Sequence, residues 1–333
     1  MTKPRFVLVG CGRIGERHAA LCRQFGTLVA VADVNATRAT TVAARYNCVS
    51  YTSFENLLAA SSGKADALVV ATPNYLHAPQ TIAALQAGLH VLCEKPMAIR
   101  HTDACQMADA AALAKRHLLV VKQNRFNPPV AQVKEWLQQG LLGEVHFAQC
   151  NGFWHRGADY YKNSWRGKKA EDGGTLYTQF SHFIDVLIWF LGPLKPLHVQ
   201  TQNQQHQGII ETDDCGTVIF QFGKKGILSL QYTVNAAAQN MEGSITLIGT
   251  KGTVKIGGQY LNELSYCAGS IEPPAYLPPG NPPNAYGQYT GSMSNHPQVY
   301  TQFLQLLQEK WSGQQALQEA IETVKAIEEV YGF

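Results

Sequence analysis

The first residues whose types and spacing suit chemistry are Gly10-Cys-Gly12-Arg13-Ile14-Gly15, a G-x-G-x-x-G run between an apolar strand pattern at 6–9 and a helical pattern at 15–25. Each glycine has a physical task in such a turn. Gly10 permits the tight bend, Gly12 lets backbone approach a pyrophosphate, and Gly15 allows helix and strand to touch. The helix that follows turns its positive end toward phosphate charge, so Gly10, Gly12, Arg13, Ile14 and Gly15 are read as cofactor-binding. Asp33 ends the next strand pattern, 18 residues past Gly15, where a carboxylate accepts hydrogen bonds from ribose hydroxyls and repels a 2′-phosphate. Together these predict a dinucleotide site that prefers NAD, and the nearby Arg38 keeps NADP as the lesser alternative.

The elements that must position this loop are legible over residues 5–122. Strand patterns at 6–9, 28–32, 67–71, 90–93 and 118–121 alternate with helical patterns at 15–25, 36–46, 78–87 and 102–116. Continuous apolar strands between helices are expected of a parallel sheet covered on both faces. Residues 1–124 are therefore read as an α/β, doubly wound Rossmann domain. Beyond them the pattern changes. A helix with Pro128 in its first turn, a strand at 145–154 and an apolar helix at 176–191 precede β-rich runs at 197–202, 216–222, 226–234, 244–248 and 253–256. Gly249-Thr-Lys-Gly252 and Gly223-Lys-Lys-Gly226 read as hairpin connections. Residues 125–333 are thus expected to form a second, α+β domain with an open, mostly antiparallel sheet. Residues 272–284 hold six of the fifteen prolines, which excludes helix and central strand. They read as an extended surface loop, either a plain connector or a lid. Two amphipathic helices close the chain.

Composition narrows the function. The 333 residues include 27 Lys+Arg and 24 Asp+Glu, for a net charge of +3, and charged residues make 15% of the chain, against about 25% in an average soluble domain. No basic block marks a nucleic-acid footprint. The apolar stretch at 183–191 contains Asp185 and is about half a membrane span. Four apolar residues before Gly10 are too few for a signal-peptide core. A cytoplasmic protein without nucleic-acid or membrane partners is expected. Eight cysteines without a C-x-x-C pair predict reduced thiols. Eleven histidines without metal-ligand spacing predict no metal. Weakly charged side chains on both faces of 226–234 are expected where one face packs on helices and the other on a second subunit. This predicts a homodimer or homotetramer built through the C-terminal sheet.

Ala71-Thr72-Pro73-Asn74-Tyr-Leu-His77 and Ala87-Gly-Leu-His-Val-Leu-Cys-Glu94-Lys95-Pro96 resemble segments of the Gfo/Idh/MocA oxidoreductase family, and the resemblance spans essentially the whole chain. It implies that Thr72, Pro73, Asn74, His77 and Glu94 lie beside the dinucleotide. It also implies that Lys95 sits by nicotinamide and substrate, with the Lys-Pro peptide commonly cis. The family's second catalytic element is Asp-x-x-x-His after a glycine segment, matched here by Thr178-Gln-Phe-Ser-His182 after Asp172-Gly-Gly. A spacing of four places Thr178 and His182 on one helix face. Thr178 stands where the family usually has Asp or Asn. A neutral hydroxyl cannot raise a neighbour's basicity as a carboxylate does, which leaves proton transfer to Lys95 and His182.

Within the family, Lys122-Gln123-Asn-Arg125-Phe-Asn-Pro128, Ser164-Trp165-Arg166-Gly167 and Ser181-His182-Phe-Ile-Asp185 resemble enzymes of the WlbA and WbpB type, which oxidise the 3-hydroxyl of UDP-N-acetylglucosaminuronic acid. This implies a sugar-nucleotide substrate contacted by Lys95, Arg125, Arg156, Tyr161, Gln179 and His182, with Gln123, Trp165 and Arg166 beside the dinucleotide. Arg125, Arg156, Arg166, Lys168 and Lys169 suit phosphates and a carboxylate. Tyr160 and Tyr161 read equally as stacking surfaces or as core. The implied reaction oxidises an alcohol to a ketone. Hydride leaves the sugar carbon for nicotinamide C4, His182 takes the hydroxyl proton, and Lys95 polarises the oxygen. Histidine's ordinary pKa of about 6.5 suits the base, and a cationic nicotinamide should lower that of Lys95. Activity on another sugar, an inositol or a dihydrodiol stays open, as does a non-catalytic regulator that binds NAD.

Overall fold

Apolar runs of the N-terminal segment form a parallel sheet in the computed structural model, which describes residues 3–285 and 290–332. β1 (Arg5–Val9), β2 (Thr27–Ala32), β3 (Val49–Tyr51), β4 (Ala67–Val70), β5 (His90–Cys93) and β6 (Leu118–Val120) lie in the order β3-β2-β1-β4-β5-β6, all parallel. Between them run α1 (Arg13–Phe25), α2 (Ala36–Tyr46), α3 (Phe54–Ser61), α4 (His77–Gln86) and α5 (His101–Ala114). The central strands are buried on both faces, Phe6, Leu8, Val69 and Leu92 completely, which is why their sequences show no alternation. Strand order reverses between β1 and β4, and in such sheets ligands bind beyond the carboxyl ends at that switch point. Two elements had no expectation: β3, a three-residue edge strand with no buried side chain, and α3, whose N-cap Ser53 accepts from the Asn56 amide at 3.1 Å.

The second sheet is mixed. α6 (Pro128–Gln138), β7 (Val145–Phe153) and the short α7 (Ala158–Tyr161) and α8 (Lys169–Asp172) lead to a π-helical run, Leu176–Phe180, and then to α9 (Ser181–Leu191). β8 (Leu194–Gln202), β9 (Cys215–Phe222), β10 (Gly226–Thr233), β11 (Glu242–Gly249), β12 (Gly252–Gly257) and β13 (Glu263–Gly269) follow. The order β13-β12-β11-β7-β10-β9-β8 is antiparallel at every neighbour except β7 and β10. β7, first in sequence, is inserted between two later meanders, and that produces the single parallel pair. One sheet face buries Ala148, Cys150, Leu228, Leu230, Ile245 and Leu247, while Phe147, Gln149, Ile227, Ser229 and Gln231 on the other stay open or half-open. The expected continuous helix at 176–191 is thus divided, its first turn widened to π geometry. A small hairpin, β14 (Pro283–Ala285) with β15 (Thr290–Met293), takes in the last two residues of the expected proline-rich loop.

α10 (His296–Leu307) and α11 (Gln314–Tyr331) complete the chain. Compactness divides it into two units, the first ending at Val121 but taking back His296–Val324, the second comprising Lys122–Asn295 and the chain from Lys325. A single cut at residue 124 therefore misses the return of α10. The cause is Tyr300, fully buried, which stacks on Phe25 at 5.5 Å and meets Phe6 edge-on at 5.9 Å. Among the described residues no helix is long and apolar enough to cross a membrane.

Candidate functional site

In the first unit, the glycine loop admits nothing larger at two of its positions. Gly10 takes φ +92°, and a Cβ there would lie 2.3 Å from the Ala71 carbonyl oxygen; at Gly15 it would lie 1.9 Å from that of Gly10. Gly12, by contrast, has open space around it and caps α1 without a side-chain hydrogen bond. The first turn of a helix leaves its amides without intrahelical partners, so Arg13, Ile14 and Gly15 open a cradle suited to phosphate. Asp33 stands at the end of β2. Its Oδ2 accepts from the Cys11 amide and its Oδ1 from the Asn35 amide, each at 2.8 Å. The carboxylate thus braces the glycine loop, and each oxygen keeps lone-pair capacity for a ribose hydroxyl. These residues fit NAD.

The turns after β4 and β5 are tied together. His77, buried, places its ring nitrogens 2.6 Å from the Pro96 carbonyl oxygen and 2.9 Å from that of Thr72. Thr72 Oγ1 donates to Gln80 Oε1 at 2.7 Å; Pro73 leads into a 3-10 turn that begins with the buried Asn74. The Lys95-Pro96 peptide is cis, as the resemblance implied, and Lys95 is half-buried. Glu94 points away from solvent. Its Oε1 lies 2.9 Å from His18 Nε2 and 3.3 Å from His296 Nε2, and its Oε2 accepts from the Lys95 amide at 3.1 Å. Burial alone would raise this carboxyl, but the hydrogen bonds from His18 and His296 outweigh it and hold it well below the ordinary range. Glu94 therefore orders the Lys95 peptide. His18 and His296 were missed because they stand 76 and 202 residues from Glu94, and only folding reveals the cluster.

In the second unit, Asp172-Gly173-Gly174 leads into the widened turn. Gly173 and Gly174 take φ +85° and +129°, and a Cβ on Gly174 would lie 2.6 Å from the Tyr331 hydroxyl. That hydroxyl accepts from the Leu176 amide at 3.0 Å. From 172 to 188 every residue is buried except Thr178, which is half-open; Gln179 and His182 lie just beneath, 5% and 7% exposed. The Thr178 hydroxyl donates to Asp172 Oδ1.

The substrate cations are placed unequally. Arg156 is buried beside Gln179, its Nε donating to Gln179 Oε1 at 2.9 Å and its Nη1 to Asn240 Oδ1 at 3.0 Å. Its guanidinium lies over the rings of Trp154 and Tyr160. Arg125 is instead held by Asp185, with contacts of 2.6 and 2.9 Å, and Lys122 Nζ reaches the same carboxylate at 2.9 Å. Burial would raise Asp185, but Arg125 and Lys122 hold it at about 2. Of the two tyrosines, Tyr161 belongs to the core, edge-on to Tyr160 and His206, and burial pushes its phenol up. Tyr160 stays half-open, its hydroxyl accepting from Gln179 Nε2 at 2.8 Å. Arg166 lies over both Trp165 and Tyr160 at 4.9 Å. Gln123 is buried within the second unit, donating to Ser292 Oγ at 2.8 Å and accepting from the Asn295 amide at 3.3 Å.

A parallel sheet with a glycine loop at its first strand-to-helix turn and a carboxylate at the end of the second strand, followed by a large mixed sheet, fits a nicotinamide-dependent oxidoreductase. Residues 4–122 match the oxidoreductase family with an NAD-binding Rossmann fold, and residues 130–255 match the GFO/IDH/MocA C-terminal domain. The chain belongs to this family and is an NAD-dependent dehydrogenase. It is similar to the WlbA dehydrogenase from Bordetella pertussis, solved in complex with NADH and UDP-GlcNAcA, with TM-score 0.86, 33% identity, and 99% of this chain and 96% of that chain covered. For the WlbA structure from Chromobacterium violaceum, also with NADH and UDP-GlcNAcA, the values are 0.87, 31%, 99% and 93%. D-glucoside 3-dehydrogenase of Escherichia coli is 27% identical over 282 residues, 82% of this chain and 78% of that protein.

Proposed function

We propose that the protein oxidises the C3 hydroxyl of a UDP-N-acetylhexosaminuronic acid to a ketone. The observation that carries this reading is its likeness, over 99% of the chain, to two dehydrogenases crystallised with NADH and UDP-GlcNAcA. Bound NAD supplies the hydride acceptor. His182 takes the hydroxyl proton on a ring nitrogen, and Lys95 Nζ donates a hydrogen bond to the same oxygen, easing charge that builds there. Arg156 and Gln179 suit the sugar carboxylate, since a guanidinium buried against aromatic faces pairs more strongly with an anion than one in water. Arg166 and Tyr160 suit phosphate and base. Gln123, Trp165 and Asn74 complete the proposed dinucleotide and substrate surroundings.

The assay is NADH formation by purified enzyme with UDP-GlcNAcA, UDP-GlcNAc and a simple glucoside. Rapid turnover of UDP-GlcNAcA is expected; turnover of the glucoside alone overturns the proposal. That second reading draws on the bond between Arg125 and Asp185, which removes one cation expected for a diphosphate and suits a free glycoside. Lys95→Met and His182→Asn should each lower kcat about 100-fold or more, and rates within about threefold of wild type would overturn their roles.

The open face of the second sheet supports a homodimer or homotetramer. Phe147 and Ile227, paired across β7 and β10, are 38% and 46% exposed among uncharged Gln149, Ser229 and Gln231, a surface suited to a second copy. A monomeric mass by light scattering at micromolar concentration would refute this.

A further inference from the structure

We propose that Tyr331, at the far end of the chain, is a positioning residue that holds the helical turn presenting Gln179 and His182 to the substrate. This deepens the function proposed above and rests on it.

The turn lacks a cap of its own. The first amides of a helix have no intrahelical partner, and the side chain of the N-cap residue commonly supplies one. Thr175 stands at that position before the π run Leu176–Phe180, yet its side chain makes no cap bond. Its hydroxyl donates instead to the Asp213 carbonyl oxygen at 2.6 Å. The Gly174 carbonyl oxygen takes the amides of Tyr177 and Thr178 at 3.1 and 3.2 Å, and the Leu176 amide donates to the Tyr331 hydroxyl at 3.0 Å. The cap is thus delivered from the last turn of α11, 155 residues later.

Three further contacts fix that hydroxyl. Asp213, a buried carboxyl, is hydrogen-bonded by the side chains of both Tyr331 and Tyr232, with the Tyr232 hydroxyl donating to Oδ2 at 2.6 Å. The Tyr331 ring stacks on that of Tyr177, with centroids 6.1 Å apart and planes at 25°. A Cβ on Gly174 would come within 2.6 Å of the Tyr331 hydroxyl, so the close approach of the phenol requires glycine there. Through Asp213 and Tyr232, which lies on β10, the start of the turn is tied to the sheet.

This clasp governs the side chains one and two turns on. Gln179 lies within the π run and His182 in the first turn of α9; both are nearly buried, and Gln179 Oε1 accepts from Arg156 Nε at 2.9 Å. π turns are rare and recur at functional sites. A misplacement of about 1 Å in a reacting group can cost about 100-fold in rate, so a support behind this turn acts on kcat without touching substrate or cofactor.

The test is Tyr331→Phe, which keeps the ring and removes only the hydroxyl, assayed with the preferred sugar. kcat should fall about tenfold, as expected for one lost hydrogen bond, with KM and the NADH dissociation constant within about threefold of wild type. Added to His182→Asn, it should lower kcat by less than about threefold further, because both act through one group; a general loss of fold would depress the double variant as strongly as the single. Amide hydrogen exchange gives a readout that needs no substrate: residues 174–180 should exchange about tenfold faster or more in Tyr331→Phe, with the strands of the sheet unchanged. If Tyr331→Phe does not fold, Asp213→Asn, which keeps the phenol and weakens its anchor, takes its place, with the same direction of change expected in kcat and exchange. Wild-type kcat in the folded variant, unaltered exchange at 174–180, or a further tenfold loss in the His182→Asn background overturns the inference. A wild type inert toward every sugar refutes the function reading, while exchange still decides the clasp, so the two failures are distinguishable.

Discussion

Replacing Asp185 by asparagine should destabilise the second unit more than most single changes do. The carboxylate is buried on α9 and binds Arg125 through two contacts and Lys122 through a third. Its displacement from the ordinary value of 3.8 to about 2 corresponds to about 2 kcal/mol of stability at neutral pH. Removing one partner of a buried ion pair typically costs about 3–5 kcal/mol, because the remaining charges stay buried without compensation. Asp185→Asn retains the volume and removes the charge, so a loss between about 2 and 5 kcal/mol is expected, or a fall of roughly 5–15 °C in Tm. The sign with pH is determined by the same displacement. A depressed carboxyl stabilises the fold above its unfolded value and loses that contribution as pH falls from about 4 toward 2. The variant should therefore show a flatter loss of stability over that interval. Urea unfolding of both proteins at pH 7 and at intervals down to pH 3 measures it. A loss below about 1 kcal/mol at pH 7, or parallel pH curves, would refute the account. A triple variant, Lys122→Met, Arg125→Met and Asp185→Leu, should recover much of the loss, since apolar groups of similar volume can replace a buried ion cluster.

Gly15→Ala should abolish NADH binding or folding, because its Cβ would lie 1.9 Å from the Gly10 carbonyl oxygen; isothermal titration with wild-type affinity would contradict this. Asp33→Ala should weaken NAD binding about tenfold or more, through the lost ribose acceptor and the unbraced Cys11 amide, and narrow the preference for NAD over NADP, read as the ratio of the two dissociation constants. Glu94→Gln should cost stability mainly at neutral pH. Hydrogen bonds from His18 and His296 hold Glu94 well below its ordinary value despite its burial, so its carboxylate favours the fold above the unfolded value of about 4.5 and withdraws that support as pH falls below it. Thermal melting from pH 7 to 3 should show the gap between wild type and variant narrowing below about 4.5, and parallel curves would count against it.

Local chemistry carried much of the first unit. Gly10 and Gly15 are dictated by backbone approach, Asp33 by the end of a strand, and the apolar strands by burial on both faces, so loop, sheet and cofactor were legible without coordinates. The Lys95 and His182 segments were legible as motifs, since short runs keep their spacing. β3 and α3 were not, because a three-residue edge strand and an eight-residue helix show too little periodicity to register. Charge partners were illegible for a different reason. Arg125 read as a substrate cation, yet Asp185, 60 residues away, holds it; Tyr161 read evenly as contact or core, and His206, 45 positions later, makes it core. The sequence by itself determined the Rossmann sheet and the dinucleotide preference, and supplied the residues proposed for proton transfer, all properties of contiguous segments. Only the tertiary structure decided how those residues are oriented: Glu94 through His18 and His296, the return of α10, the parallel junction of β7 with β10, and the carboxylate behind Thr178. Orientation depends on which distant side chains share a desolvated space, and chain spacing carries no record of that.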